Sequence, residues 1–344
     1  MASVAIAGAG IAGISAARAL RQDGYRITLF DRGRRLGGRA CSRRTGGGYD
    51  HGAQYFTVSD PAFARALAPH MRSGAVAPWH GRVVRSVGGQ LHEFDARRYV
   101  GVPGMGRLAE VLAQDCEVLT DTRVTVAEQG ARGWSLVDAD GSELGEYDVL
   151  LLAMPPEQAS ALTPRDCPLR ETLRACRSQP AWAALLQFAE RLPLDFDGAT
   201  FDRLDLAWAA RDSGKPGREP GERWVVHAAA EWSRERFGAA PERVAAELAS
   251  ALFTATALDP RETTAMSAHR WGFARVGNGP ACGALWDEHL RLGICGDWCV
   301  SPRIEGAWLS GVEAAAQIRA SVGRPRRRTA KTAAVTPGDE AALT

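Results

Sequence analysis

The sequence predicts an α/β chain in which a parallel, doubly wound unit is split by an inserted block of mixed β-sheet plus helices. Three observations predict it. A short apolar strand, a glycine-rich turn, a helix and a second strand are complete by residue 31, and a strand that is apolar without alternation is one covered on both faces. The same buried-strand texture returns at residues 148–153 (D-V-L-L-L-A) and 290–295, ahead of a closing helix over 306–320. Between 180 and 232 the texture changes, with Trp182, Trp208, Trp224 and Trp232 in strand-like stretches. The expected division gives residues 1–65, 101–160 and 288–322 to one discontinuous domain and 66–100 and 161–287 to a second, and it leaves 323–344 as a disordered tail.

Residues 3–7 (S-V-A-I-A) form the first strand, 8–13 the turn, 14–22 the helix and 25–30 (Y-R-I-T-L-F) the second strand, which ends at Asp31. Runs 83–87 and 90–93 around Gly88-Gly89 predict a hairpin, because a glycine pair supplies the positive φ angles of a two-residue turn. Helix is expected over 105–114, and strands over 117–119, 122–128 and 134–138. A loop over 212–221 interrupts the aromatic block, and an amphipathic helix follows over 243–253.

Composition narrows the function classes. The 344 residues are 45% hydrophobic and 24% charged, and 42 basic against 40 acidic residues leave a net charge of +2. The strongly basic footprint of a dedicated nucleic-acid binder is missing. Seven cysteines without a C-x-x-C pair argue against a zinc knuckle or a disulfide framework and for a reducing compartment. There is no gap-free apolar run of about 20 residues to suggest a membrane span. The expectation is a cytoplasmic protein, monomer or dimer, that engages neither nucleic acid nor membrane. The histidines lack metal-ligand spacing, and no G-x-S-x-G elbow is present. Only Lys215, in an apparent loop, and Lys331, in the tail, are lysines, so a lysine-dependent mechanism has two candidates.

Gly8-Ala9-Gly10-Ile11-Ala12-Gly13 is a G-x-G-x-x-G set between a strand and a helix. In that setting Gly8 permits the tight turn, Gly10 lets the backbone approach a pyrophosphate, and Gly13 lets helix and strand pack closely. The helix start, with Ile11 and Ala12, offers free N–H groups and a positive dipole end to the phosphates. Asp31 can accept from the adenosine ribose hydroxyls. Arg32-Gly33-Arg34-Arg35-Leu36-Gly37-Gly38-Arg39 follows at once. Its Gly38 and Arg39 bring backbone and guanidinium donors to the pyrophosphate, Arg32 adjoins the ribose acceptor, and Arg34 and Arg35 read as surface charges. Near the other end, Gly296-Asp297 follows a buried strand and Glu305-Gly306-Ala307 begins a helix. An aspartate there suits a ribityl hydroxyl, and a helix N-terminus suits the pyrimidine edge of a flavin, where negative charge develops on reduction. The cofactor these two ends describe together is FAD.

Four segments resemble those of renalase-type flavoproteins, on the border of the flavin amine oxidase superfamily: V-A-I-A-G-A-G-I-A-G, L-G-G-R, Y-D-H-G-A-Q-Y-F and C-G-D-W-C-V-S-P-R-I-E-G-A-W-L-S-G. H-R-W-G-F-A (269–274) and A-A-R-D-S-G-K-P-G-R (209–218) resemble the corresponding parts of bacterial members. The resemblance runs from about residue 3 to residue 320, and its glycine motifs are shared by many flavoenzymes. It implies a p-hydroxybenzoate hydroxylase-like architecture, a Rossmann-type FAD-binding domain with an inserted mixed-sheet substrate domain and the active site between them. It implies oxidation of isomeric (2- or 6-dihydro) NAD(P)H to NAD(P)+, with O2 reduced to H2O2. It also implies that Gly52, Ala53 and Gln54 lie beside the flavin and that Val124 holds the adenine through its backbone. The amine oxidase pattern S-G-G-C-Y is absent near the C-terminal flavin helix, so the FAD is expected to be non-covalent.

Hydride loss from a dihydropyridine is driven by its own nitrogen lone pair, which leaves the protein to stack and align the donor. Gln54, Trp271 and Trp208 suit such a pocket, and Arg211 is the candidate for a substrate phosphate. His51, His227 and His269 read as structural or substrate-contacting rather than as catalytic bases. Cys295 and Cys299 read as small packed residues, with a redox-active pair as the alternative. Two other classes stay open. One is a flavin amine oxidase or desaturase, of which the former usually keeps a lysine near the reactive flavin nitrogen. The other is a non-catalytic flavin-binding protein.

Overall fold

Strand Ser3–Ala7 is interior to a six-stranded sheet, ordered Leu285–Asp287, Leu292–Ile294, Val149–Leu152, Ser3–Ala7, Arg26–Phe30, Val118–Leu119. The computed structural model describes residues 2–43 and 47–323, so the expected tail, Gly323 apart, lies outside the described residues. Neighbouring strands are parallel except at the edge, where Leu285–Asp287 runs antiparallel. Ser3–Ala7 and Val149–Leu152 are buried throughout, which is why they carry no polar alternation. Ser3–Ala7 pairs with Arg26–Phe30 on one side and Val149–Leu152 on the other. The strand order reverses there, and the crevice beyond the strand ends at such a switch point is where ligands bind.

Helices Ile11–Gln22 and Ile304–Val322 cross on one face of this sheet. A Cβ on Gly311 would stand 2.1 Å from the Ala12 carbonyl oxygen, so only glycine allows the approach. On the other face, the antiparallel strands Val124–Gly130, Gly133–Asp138 and Glu143–Tyr147 bring Trp134 and Leu136 against Phe30 and Leu150.

A second, seven-stranded sheet is ordered Thr263–Val276, Ser178–Phe188, Glu222–Ala228, Leu206–Arg211, Gly198–Phe201, Val83–Val87, Gln90–Glu93. It is antiparallel except where Gly198–Phe201 and Val83–Val87 run parallel. Alternation along its strands sorts its two faces. Trp182, Ala184, Leu186 and Phe188 pack under helix Pro241–Thr256, whereas Trp208 and Ala210 point into the core shared with the first sheet. Strand Val76–Trp79 pairs with Arg98–Gly101 beside them, and Tyr99 bridges to Phe56. The fold is the Rossmann-type domain with mixed sheets and helices that the sequence predicts.

The hairpin 83–93 forms as expected, with Gly88 and Gly89 at φ of 57° and 84°. Trp232 is a correction, because it sits in helix Ala230–Glu235 rather than in a strand. Several elements lie outside the sequence reading, and the two longest are a helix and a strand. Helix Pro61–Arg72 is capped by the Asp60 carboxylate, which accepts from Ala62 and Phe63 N–H. Strand Thr263–Val276 lies at a sheet edge and is mostly exposed or half-buried. Among the described residues no helix is long and apolar enough to cross a membrane.

Candidate functional site

The two glycine motifs interlock. Gly8 adopts a φ of 115°, and a Cβ on it would lie 2.2 Å from the Ala153 carbonyl oxygen. A Cβ on Gly13 would lie 2.0 Å from the Gly8 carbonyl oxygen, whereas one on Gly10 would meet nothing within 4 Å. Gly37, at φ 102°, donates its N–H to Ala9 O at 2.9 Å and forms a bridge with Gly10. Exposed Gly38 lies over Gly10, its built Cβ 3.7 Å from that Cα. The helix start at Ile11 and Ala12 has no side-chain cap, so its first N–H groups are available to an anion.

Asp31 is held from both sides, with Oδ2 accepting from Ala9 N–H and Oδ1 from Gly33 N–H, each at 2.7 Å. Each oxygen keeps a lone pair. Arg32 is exposed next to it. Thr122 N–H donates to Asp31 O at 2.8 Å, which brings the half-buried Val124 strand to the same edge. Arg39 and Asp297 are brought together from opposite ends of the chain. Nη2 donates to Oδ1 at 2.7 Å and Nη1 to Oδ2 at 3.3 Å, and Nη1 also donates to Ala274 O at 3.0 Å. Ala53 N–H donates to Arg39 O at 2.9 Å. A Cβ on Gly52 would be 2.0 Å from that same oxygen, so residues 52–54 are pressed against the Gly38–Arg39 turn.

At the start of helix Ile304–Val322 the Glu305 Oε1 accepts from Ser59 N–H at 2.6 Å and Asp60 N–H at 2.7 Å, fastening the chain to the helix, while Ala307 N–H donates to Arg303 O at 3.0 Å. One assignment is corrected. Arg211 cannot meet a substrate phosphate. Only 2% exposed, it donates to Glu222 at 3.1 Å, Asp197 at 2.9 Å and Leu192 O at 3.1 Å, and its guanidinium lies 4.9 Å above the Trp224 ring. These partners use up its donors within the substrate-side sheet.

Trp271 does reach the loop. Its Nε1 donates to His51 O at 2.9 Å, its ring stacks 5.0 Å from the His51 ring, and Cζ2 would be 3.3 Å from a Cβ on Gly52. His269 packs edge-on against both rings. Burial, with His269 and Arg43 adding to it, pushes His51 down to about 4, and burial pushes His227 down to about 4. Both are therefore neutral near pH 7 and weak as bases. Trp208 stands further along, buried, 5.5 Å from the Tyr55 ring. Cys295 and Cys299 are buried and free.

The sequence reading missed the charged cluster beneath this loop. Lys215 is buried. Its Nζ donates to Asp212 at 2.7 Å, Asp50 at 3.1 Å and the Gln54 side-chain oxygen at 3.2 Å. Arg218 pairs with Asp50 at 2.5 Å and Asp212 at 3.3 Å. The two carboxylates are wholly buried and split their roles. Burial raises Asp212, and the charge of Asp50 adds to that. Burial also opposes ionisation of Asp50, but Lys215 and Arg218 overcome it and hold Asp50 below the usual range. Gln54 is immobilised in turn, donating to Asp50 O and Gly52 O. Asp212, at the start of the short turn that Lys215 ends and in contact with it, was the available local signal.

The family described as NAD(P)-binding Rossmann-like domain matches residues 6–68, and the family described as flavin containing amine oxidoreductase matches residues 89–319. Among solved structures, a protein from Exiguobacterium sp. 255-15 assigned as a protoporphyrinogen oxidase is similar with a TM-score of 0.76 at 12% identity, over 93% of this chain and 99% of that one. A putrescine oxidase bound to putrescine is similar with a TM-score of 0.69 at 12% identity, over 93% of this chain and 99% of that one. At such identities the likeness is one of fold.

Proposed function

The chain belongs to the flavin containing amine oxidoreductase family, and from that premise we propose that it is a renalase-like member, oxidising isomeric (2- or 6-dihydro) NAD(P)H. As a family member it is an FAD-dependent oxidoreductase. The residues fit that cofactor, because the uncapped helix start and the interlocked glycine turns leave Gly10 facing open space, as a pyrophosphate requires. In this reading Asp31 holds the ribose, Val124 the adenine and Arg39 with Gly38 the pyrophosphate. Asp297 holds the ribityl chain, and the helix start, with the Gly306 N–H free and Ala307 N–H already donated to Arg303 O, faces the pyrimidine edge. When bound, FAD would supply the two-electron acceptor for the substrate's hydride, with O2 as the final oxidant.

The observation that carries the substrate class is the Trp271 ring, fixed over Gly52 by its bond to His51 O. It supplies a flat wall for a planar donor ring, and Gln54, clamped by Lys215, supplies a rigid floor. His51 and His227 stay neutral, which suits a reaction that needs no strong base. Asp50 and Asp212 are already matched by Lys215 and Arg218, so neither is free to receive a substrate ammonium. Anaerobic stopped-flow mixing with each donor tests this. The 2- or 6-dihydro isomers should bleach the flavin fast, 4-dihydro NADH slowly and simple amines not at all. Rapid bleaching by an amine, with the isomers inert, would overturn the proposal, and an unchanged kcat/KM in Trp271→Ala would remove the stacking role.

One observation favours amine oxidation as the second reading. Lys215 lies in a loop, as expected, but is buried against Gln54, and amine oxidases usually keep a lysine at the flavin.

A further inference from the structure

Beside the site, on the far side of Tyr55, strands Val76–Trp79 and Arg98–Gly101 and the hairpin end at Phe94 line a pocket of about 870 Å³ that opens to solvent. Its lining includes Trp79, Phe94, Arg98 and Tyr99. Arg98 is 5% exposed, yet among the described residues no carboxylate lies within ion-pair reach of it. Its Nη1 donates to Ala96 O at 3.1 Å and Nη2 to Phe94 O, two neutral acceptors, and Nε has no partner. The Tyr55 and Phe94 rings lie 5.3 and 4.9 Å from the guanidinium carbon.

A buried cation without a counter-charge is costly, and carbonyls and ring faces offset only part of that cost. The pocket also holds a second unsatisfied donor, Trp79 Nε1, on a residue 4% exposed. Of the acidic residues in the lining, Glu93 is taken by Arg82 at 2.6 Å and Asp95 is exposed. Arg98 and Trp79, each with a donor atom that has no partner, and the aromatic rings therefore line one pocket in which no carboxylate pairs with Arg98. Tyr55 connects that pocket to the site, since its ring also lies 6.1 Å from Trp79 and 5.5 Å from Trp208, and it follows Gln54 in the chain.

We propose that this pocket is a subsite for the phosphate-bearing end of a nicotinamide nucleotide, with Arg98 as its counter-charge and Trp79 Nε1 as a second donor. The choice of a nicotinamide nucleotide rests on the substrate reading above, whereas the anion requirement rests on Arg98 alone. A guanidinium presents a planar fork that a phosphate oxygen pair can match, and Trp79, Phe94 and Tyr99 offer apolar surface to the sugar that carries it.

The test is equilibrium binding of nicotinamide mononucleotide and of its riboside, which lacks the phosphate, to the oxidised holoenzyme, read by calorimetry. The mononucleotide should bind at least roughly tenfold tighter than the riboside, as one charge-assisted contact implies. Arg98→Met should bring the two to within about threefold, and Arg98→Lys should restore part of the preference. Trp79→Phe keeps the ring and removes only the N–H, so it should weaken the mononucleotide by roughly threefold and leave the riboside unchanged. This variant carries the test if Arg98→Met fails to fold. No preference in the parent protein, or full preference retained in Arg98→Met, overturns the subsite. An Arg98-dependent preference with no flavin bleaching by either isomer keeps the subsite and removes the substrate reading. Bleaching by the isomers with no phosphate preference does the reverse.

Discussion

Replacing Lys215 by methionine removes one of two cations from a buried group of four charges. The parent group is neutral, with Asp50 and Asp212 balanced by Lys215 and Arg218, whereas the variant carries one uncompensated carboxylate. Breaking a buried pair in this way costs about 3–5 kcal/mol. The lysine touches both carboxylates, at 2.7 and 3.1 Å, which argues for the upper part of that range. Asp212 limits the loss, because burial and Asp50 already raise it and it will take a proton when the lysine is gone. The expected net loss is about 3–4 kcal/mol near neutral pH, or a fall in Tm of roughly 4–6 °C. The sign with pH follows from that proton. Asp212 with a raised folded pKa is most favourable at low pH and loses stability as pH rises through that value, so Lys215→Met should suffer less at pH 5 than at pH 8. Adding Asp212→Asn restores neutrality and should recover at least about half of the loss. Thermal and urea unfolding of the parent, the single variants and the double variant measures all of this. A single variant within about 1 kcal/mol of the parent, or a double variant no better than Lys215→Met, refutes the reading of the cluster as one charge-balanced unit.

The glycine turns separate folding from cofactor binding. Gly13→Ala should destabilise the protein itself, because its Cβ would meet Gly8 O at 2.0 Å, whereas Gly10→Ala, with open space around it, should melt like the parent but lose FAD occupancy; absorbance at the flavin band against Tm decides. Arg39→Ala should also lower FAD occupancy, and acid precipitation of the parent should release all flavin into the supernatant; flavin left on the precipitated chain would mean a covalent link. His51 is pushed down to about 4 from a usual value of 6.5, so between those values the unfolded chain binds more protons and stability falls as pH falls. That amounts to about 3 kcal/mol over the interval, and a His51→Gln variant should lose correspondingly less in urea titrations run at pH 6.5 and pH 4.5.

What could be read from the chain was local chemistry. The Gly8–Gly13 turn and the Gly88-Gly89 hairpin follow from positive φ and close approach, which a few neighbouring residues specify completely. Ser3–Ala7 and Val149–Leu152 were legible because complete burial leaves an unbroken apolar run. Thr263–Val276 was not, since an edge strand with one weakly covered face carries no such run. Helix Pro61–Arg72 carries a start signal in Asp60-Pro61, a capping carboxylate followed by proline at the first position. Arg211 shows the opposite failure, because an arginine satisfied by Glu222, Asp197 and three carbonyls looks in sequence like one that is free to bind a phosphate.

Lys215 was the residue most misjudged, and the reason bears on function. Its surroundings, D-S-G-K-P-G-R, have the composition of a surface loop, and nothing within ten residues of it accounts for burying an ammonium except Asp212. The other partners, Asp50 and Gln54, lie 165 and 161 positions away. They belong to the segment that presses Gly52 against Arg39 O. The loop turns inward because each side supplies the charge the other lacks, and neither side alone shows a reason to be buried. A cost of this kind is tolerated where it fixes a geometry. The geometry fixed here is that of Gln54, whose amide is held at its oxygen by Lys215 and at its nitrogen by Asp50 O and Gly52 O. A lysine locked between two carboxylates is poorly placed to exchange protons with a substrate and well placed to hold Gln54 still. Its position in the site thus supports a positioning role for Lys215, one that a dihydropyridine oxidation can use without asking the lysine for acid–base chemistry.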